Sequence, residues 1–234
     1  MKKIIFILGI ITPMVFGACS QDDEQIYSCD KYTDNWAKAN LSELQVMNRE
    51  SWLQLPERVN LAAFRAMLPS KKVLFWKQKF EEVKKLKWTN LELQHIQKAE
   101  NFLITNKKWI FAKKLSNEDL DKIDSFFYSW QKYAKEKLNW DQAVIYGIVG
   151  TGYPMMDKEG TLKINKEKRL SMADNLQEND EIGGNSIECH CKEDHVLACF
   201  PLTQMYCEKS HCDKTNTGCG WLFTAPCDGT CGGY

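Results

Sequence analysis

SNEDLDKIDSFFYSWQKYAKEKL, residues 116–138, carries apolar side chains at Leu120, Ile123, Phe127, Trp130, Ala134 and Leu138. Steps of three and four put all six on one helix face, and such a face has to be buried against something. Ser116-Asn117-Glu118-Asp119 supplies the start, a capping hydroxyl followed by acids in the first turn. The same reading extends upstream. Thr89-Asn90-Leu91-Glu92 is a capping box, in which threonine and glutamate satisfy exposed backbone donors. Leu93, Ile96, Phe102 and Leu103 follow it at roughly helical spacing.

Pro69 opens another segment, with Val73, Phe80, Val83 and Leu86 facing one way. Pro56 suits a first turn ahead of Val59, Ala62, Ala63 and Ala66. A shorter helix is expected from Thr33 to Met47. The connections are a few residues long, which favours antiparallel neighbours. The expected fold class is therefore mainly α, with a helical bundle over residues 31–150. Its tryptophans, Trp36, Trp52, Trp76, Trp88, Trp109, Trp130 and Trp140, read as packing of helix faces. His95 stands without a partner at ligand spacing. Lys84-Lys85 and Lys113-Lys114 read as solvated faces.

Past the bundle the pattern weakens. DQAVIYGIVGTGYP (141–154) is ambiguous: Asp141 can cap a short helix, yet Val144, Ile145, Ile148 and Val149 equally suit a buried strand. Apolar periodicity is then lost, and residues 151–186 read as a linker, with a local hairpin around Glu159-Gly160 and Gly183-Gly184 near its end.

Residues 187–234 form a third compositional zone. Eight of the ten cysteines fall within 43 residues: Cys189, Cys191, Cys199, Cys207, Cys212, Cys219, Cys227 and Cys231. Zinc would want closely spaced pairs of ligands, and no C-x2-C is present. In an oxidising exterior, thiols are consumed as disulfides. The expectation is a small, irregular, disulfide-rich module with no metal and no cofactor. Its pairing is left open, except that Cys189 and Cys191 are too close to bond each other comfortably. Val196, Leu197, Phe200, Leu202, Trp221, Leu222 and Phe223 are too few to hold so short a segment without cross-links. Trp221 and Phe223, on a rigid loop, are expected as exposed contact anchors.

The amino terminus fixes the compartment. Met1-Lys2-Lys3 precedes the apolar run Ile4–Gly17, and together they read as a secretory signal over residues 1–18. Phe16-Gly17-Ala18-Cys19 resembles the lipobox of bacterial lipoproteins, which implies a lipidated Cys19 and membrane attachment through acyl chains. Residues 19–30, with Ser20-Gln21-Asp22-Asp23-Glu24 directly after the cysteine, read as an acidic tether. The implied location is that of an exported lipoprotein at the outer membrane or cell surface.

Charge is balanced overall, with 31 basic and 31 acidic side chains, so nothing points to nucleic acid. The balance is uneven, though: residues 30–150 carry 21 basic and 15 acidic side chains, and residues 185–234 carry three and six. No nucleophile motif, phosphate-binding glycine loop or HExxH occurs, and the chain reads as a non-enzyme.

The spacing C-x-C-x7-C-x7-C-x4-C-x6-C-x7-C-x3-C, with TNTGCGW at 215–221, resembles the bacteriocin fulvocin C-related family over about Ile187–Tyr234. The resemblance implies an exported protein that displays or releases a disulfide-stabilised peptide with antibacterial activity. Gly183 and Gly184 mark where a release cut would fall. The alternative is a permanent cell-surface binding module, with a protein or glycan on another cell as its target.

Overall fold

In the computed structural model, which describes residues 25–164, 191–200, 205–209 and 214–233, the quoted stretch is one long helix. Eight α-helices occur among the described residues: α1 (Lys31–Ala39), α2 (Leu41–Val46), α3 (Arg49–Trp52), α4 (Glu57–Ala66), α5 (Pro69–Val83), α6 (Asn90–Thr105), α7 (Asn117–Leu138) and α8 (Gln142–Val149). The protein is mainly α. No helix among the described residues is long and apolar enough to cross a membrane.

The caps explain where the helices begin. Thr89 Oγ1 accepts from the Glu92 N–H at 3.3 Å, and the Glu92 carboxylate accepts from the Thr89 N–H at 2.7 Å. Ser116 Oγ accepts from the Asp119 N–H at 3.1 Å. Such a cap stabilises by about 1 kcal/mol. Asn139, in the left-handed region at φ 55°, ends α7. The Thr33–Met47 helix is broken at Asn40 into α1 and α2. The ambiguous 141–154 stretch resolves as α8, because Asp141 accepts from the Val144 N–H at 3.0 Å and caps it.

Four strands follow among the described residues: β1 (Met205–Lys209), β2 (Thr215–Cys219), β3 (Ala225–Cys227) and β4 (Gly229–Gly233). They form two antiparallel ribbons, β1 with β4 and β2 with β3. Cys207 and Cys231 stand opposite each other across the first ribbon, but each bonds elsewhere. Cys207 joins Cys191 and Cys231 joins Cys199, so both strands are stapled to the 191–200 turn. Cys219–Cys227 closes the second ribbon, and Cys29 packs against that bridge. Cys189 and Cys212 lie outside the described residues, as do Cys19, Gly183 and Gly184.

Two expectations are corrected here. Trp221 and Phe223 are not exposed anchors, being only 2% and 7% accessible. A single 3-10 turn, Trp221–Phe223, drives them into the helical core. Trp221 stacks on Phe127 with ring centroids 5.3 Å apart, and Phe223 meets Phe64 edge-on at 5.1 Å and Trp76 at 5.3 Å. Leu222 and Phe223 hold left-handed backbone, φ 52° and 60°, which side-chain-bearing residues adopt only under constraint. That conformation aims three consecutive side chains inward, and their burial holds it in place.

The second correction concerns the linker, whose first part is packed structure. Met155 and Leu162 pair across the expected hairpin, and Met155 is buried. Gly160, φ 90°, lies on the backbone of Ala143, so close that a side chain there would collide with it. The Arg49 Nε–H donates to the Gly152 carbonyl at 3.0 Å while its Nη1 pairs with Glu82 at 2.7 Å. The fully buried Lys79 Nζ donates to the Tyr153 carbonyl. These cations pin the 151–164 segment to α3 and α5. Residues 165–186 are outside the described range.

Arg65, only 3% accessible, clamps the cystine-rich part to the helices. Its Nε–H donates to Thr217 O at 2.7 Å, its Nη1 to Tyr27 O at 2.7 Å and its Nη2 to Cys227 Sγ at 3.1 Å. The clamp depends on Gly218, whose φ is 116° and where an added Cβ would sit 2.4 Å from Arg65 Nε. Gly218→Ala is therefore expected to cost about 2–3 kcal/mol through backbone strain and displacement of the guanidinium. Urea denaturation checks this, and an unchanged midpoint would contradict the clamp.

Candidate functional site

The seam between helices and cystine-rich part is not filled everywhere. A cavity of about 380 Å3 lies there, between α4, α8, the 151–164 segment, the 191–200 turn and the β2 end. That is within the size range of small-molecule sites. Tyr146 enters from α8, and Tyr153 from the segment that Lys79 pins. Leu197, Phe200 and His195 enter from the disulfide-stapled turn. Tyr146 and Phe200 touch, with ring centroids 4.9 Å apart. The Cys191–Cys207 and Cys199–Cys231 bridges form part of the same wall, with Phe223 beneath.

The cations on the walls are already paired. Arg58 pairs with Asp30 at 3.0 Å, and Lys192 pairs with Asp228 at 2.7 Å. Asn60 Nδ2 donates to the Tyr153 hydroxyl at 2.6 Å. Burial pushes the Tyr146 hydroxyl above its ordinary range, so it stays protonated at neutral pH. The cavity is thus largely apolar and aromatic, with paired cations, Glu57 and uncharged polar groups around it.

His195 is the exception in its hydrogen bonding. Its Nδ1 accepts from the Leu197 N–H at 3.1 Å. Burial, helped by the charge of Lys192, pulls its pKa down to about 4. The neutral ring therefore carries its proton on Nε2. That Nε2 is buried and has no hydrogen-bond partner among the described residues. The ring's only aromatic neighbour among them is Trp221, at 4.9 Å.

The Sγ atoms of Cys191, Cys199 and Cys207 lie within 4.8 Å of one another. Each is in a disulfide, whereas a zinc ligand is a thiolate. The convergence comes from two bridges packing side by side.

Of the residues read from the sequence, the structure brings six cysteines into three bridges and places Phe223 under the cavity. Tyr146, Tyr153, Asn60 and the Arg65 clamp carried no motif. The only hint was the GTGYP turn, whose glycines and aromatic sit beside an apolar run. No family model, curated protein or solved structure matches the chain.

The buried titratable groups set a pH profile. His95 is stacked between Trp130 and Tyr133, and burial pulls its pKa, like that of His195, to about 4. Unfolded histidine titrates near about 6.5. Between those values the unfolded chain binds more protons, so stability falls as pH falls through that window. Burial also lowers Lys79 to about 7 and Lys72 to about 8. Unfolded lysine titrates near about 10.4, so stability rises from about pH 7 toward 10. The urea midpoint is expected to climb from pH 4.5 through 7 to 9. His95→Gln should flatten the acid limb and Lys79→Met the alkaline one. A level profile in the wild type would contradict both assignments.

Proposed function

We propose that the chain is an exported, lipid-anchored member of the bacteriocin fulvocin C-related family that keeps its cystine-rich part docked as a permanent binding surface. One observation carries the reading: Trp221, Leu222 and Phe223 belong to the same core as the helices. A peptide built for clean release would bury its apolar side chains within itself. Removing this one would strip the bundle of three core residues and expose Phe64, Trp76 and Phe127.

Disulfides support export, since they persist in oxidising compartments. The signal-like start and Cys19 support the anchor. The test is mass spectrometry of cells and spent medium, with metabolic palmitate labelling. Intact, palmitate-labelled chain in the membrane fraction, lost in Cys19→Ala, is the expected result. A fragment starting near Asn185 in the medium would overturn permanent docking.

A second reading has one observation in its favour. The triplet hidden in the bundle is the most apolar part of the cystine-rich segment, so the helices would also mask a membrane-active surface until proteolysis. Growth inhibition by an oxidised 185–234 peptide, abolished by adding the helical part, would favour this reading.

A further inference from the structure

We propose that the seam cavity is a binding site for an uncharged, lipid-like small molecule, an acyl or isoprenoid body ending in a neutral oxygen function such as an ester or alcohol.

Several features point the same way. The volume, about 380 Å3, suits one small ligand rather than a polymer. Leu61, Leu162, Leu197, Phe200 and the sulfurs of two disulfides supply apolar wall. The cations that line it are already held by Asp30 and Asp228. An anionic headgroup would therefore have to break existing ion pairs. A cationic one would have only Glu57, at the exposed rim of α4. Charged molecules gain little here and lose their hydration, whereas an apolar body gains roughly 25 cal/mol for each Å2 it removes from water.

The neutral oxygen function answers the remaining polar group. His195 lines the cavity, and its Nε2–H, closed off beside Gly220, has no acceptor among the described residues and needs only a small turn of the ring to meet an occupant. A buried donor left unsatisfied costs about 1–3 kcal/mol, and an ester or hydroxyl oxygen would recover much of that. The site is also preorganised. Disulfides fix the 191–200 turn on one side, and Arg49 and Lys79 fix the 151–164 segment on the other. The seam is formed by both parts of the chain, so an occupant adds to their docking.

The test uses the oxidised full chain and Nile red as a neutral fluorescent reporter. Methyl decanoate, decanoate, decylamine and octylbenzene serve as competitors. The expected result is saturable one-to-one Nile red binding, with displacement by methyl decanoate at least tenfold more effective than by decanoate or decylamine. Ala198→Trp, which fills the cavity from the turn, should abolish binding with little change in thermal midpoint. His195→Phe keeps the ring beside Trp221 but removes the donor. It should weaken methyl decanoate about tenfold and leave octylbenzene unchanged.

Should a variant fail to fold, photolysis of a diazirine-bearing decanoate methyl ester on the wild-type chain decides the matter. Label on peptides containing Tyr146 and Leu197 supports the site. No saturable binding, equal competition by the charged probes, or label placed elsewhere overturns it. None of these outcomes depends on membrane anchoring or on release, so the site and the proposed function stand or fall separately.

Discussion

Phe223→Ala is expected to destabilise the whole protein by about 3–5 kcal/mol, with helices and cystine-rich strands unfolding together. Phe223 is packed edge-on against Phe64 and Trp76, two of the most deeply buried side chains in the bundle. Its loss leaves a cavity between them that neither ring can close without leaving its own contacts, Phe64 with Phe75 and Trp76 with Phe75. Against a typical total of about 5–15 kcal/mol, such a loss is a large fraction.

The diagnostic outcome is the coupling. Far-ultraviolet circular dichroism reports the helices, and protease access to the 205–231 ribbons reports the strands. One shared urea midpoint, shifted in the variant, is the expected result. Two separate midpoints, with the helices unmoved by Phe223→Ala, would show that the cystine-rich part is merely attached. Trp221→Ala should behave alike, since it removes the ring stacked on Phe127.

Reduction has the other large effect. The three described bridges span 16, 32 and 8 residues along the chain. Each is expected to stabilise by about 2–4 kcal/mol, chiefly by restricting the unfolded chain. Losing all three would lower the thermal midpoint by about 20 °C, at roughly 2–4 °C per kcal/mol for a chain of this size. The β2–β3 ribbon seats the Trp221–Phe223 turn, so the helices should soften as well. Heating scans with and without dithiothreitol measure this, with tryptophan fluorescence reporting the bundle. Cys219→Ala with Cys227→Ala should reproduce the helical part of the effect better than removal of Cys191 and Cys207. Cys227 is fully buried under the Arg65 clamp, whereas Cys191–Cys207 staples a peripheral turn. A helical signal indifferent to reduction would contradict the shared core.

The contrast between what sequence reveals and what it hides follows from the range of the interactions. Caps at Thr89, Ser116 and Asp141 act within three residues, so they are readable in a line of text. The apolar stripe of α7 is readable too, because its period is a local property. Trp221 and Phe223 were misread for the opposite reason. An aromatic on a short loop between cysteines looks exposed until its partners are known, and Phe127, Phe64 and Trp76 come from elements far away in the chain. Arg65, Lys72 and Lys79 carry no local signal that sets them apart from surface cations. Their burial is possible because backbone carbonyls accept their hydrogen bonds, those of Thr217 and Tyr153 from far along the chain and that of Arg65 from the preceding helix. The candidate cavity was illegible because it belongs to no segment and forms only when both parts meet.

Tyr27, near the start of the described residues, and Thr217, near their end, are held by the same guanidinium. Ten residues separate Cys19 from Cys29, which rests on the Cys219–Cys227 bridge. At full stretch that leash measures about 35 Å. If Cys19 carries acyl chains, as proposed above, the cystine-rich part would stay within that reach of the bilayer. For the seam cavity, the nearest reservoir of apolar molecules would then be the membrane itself.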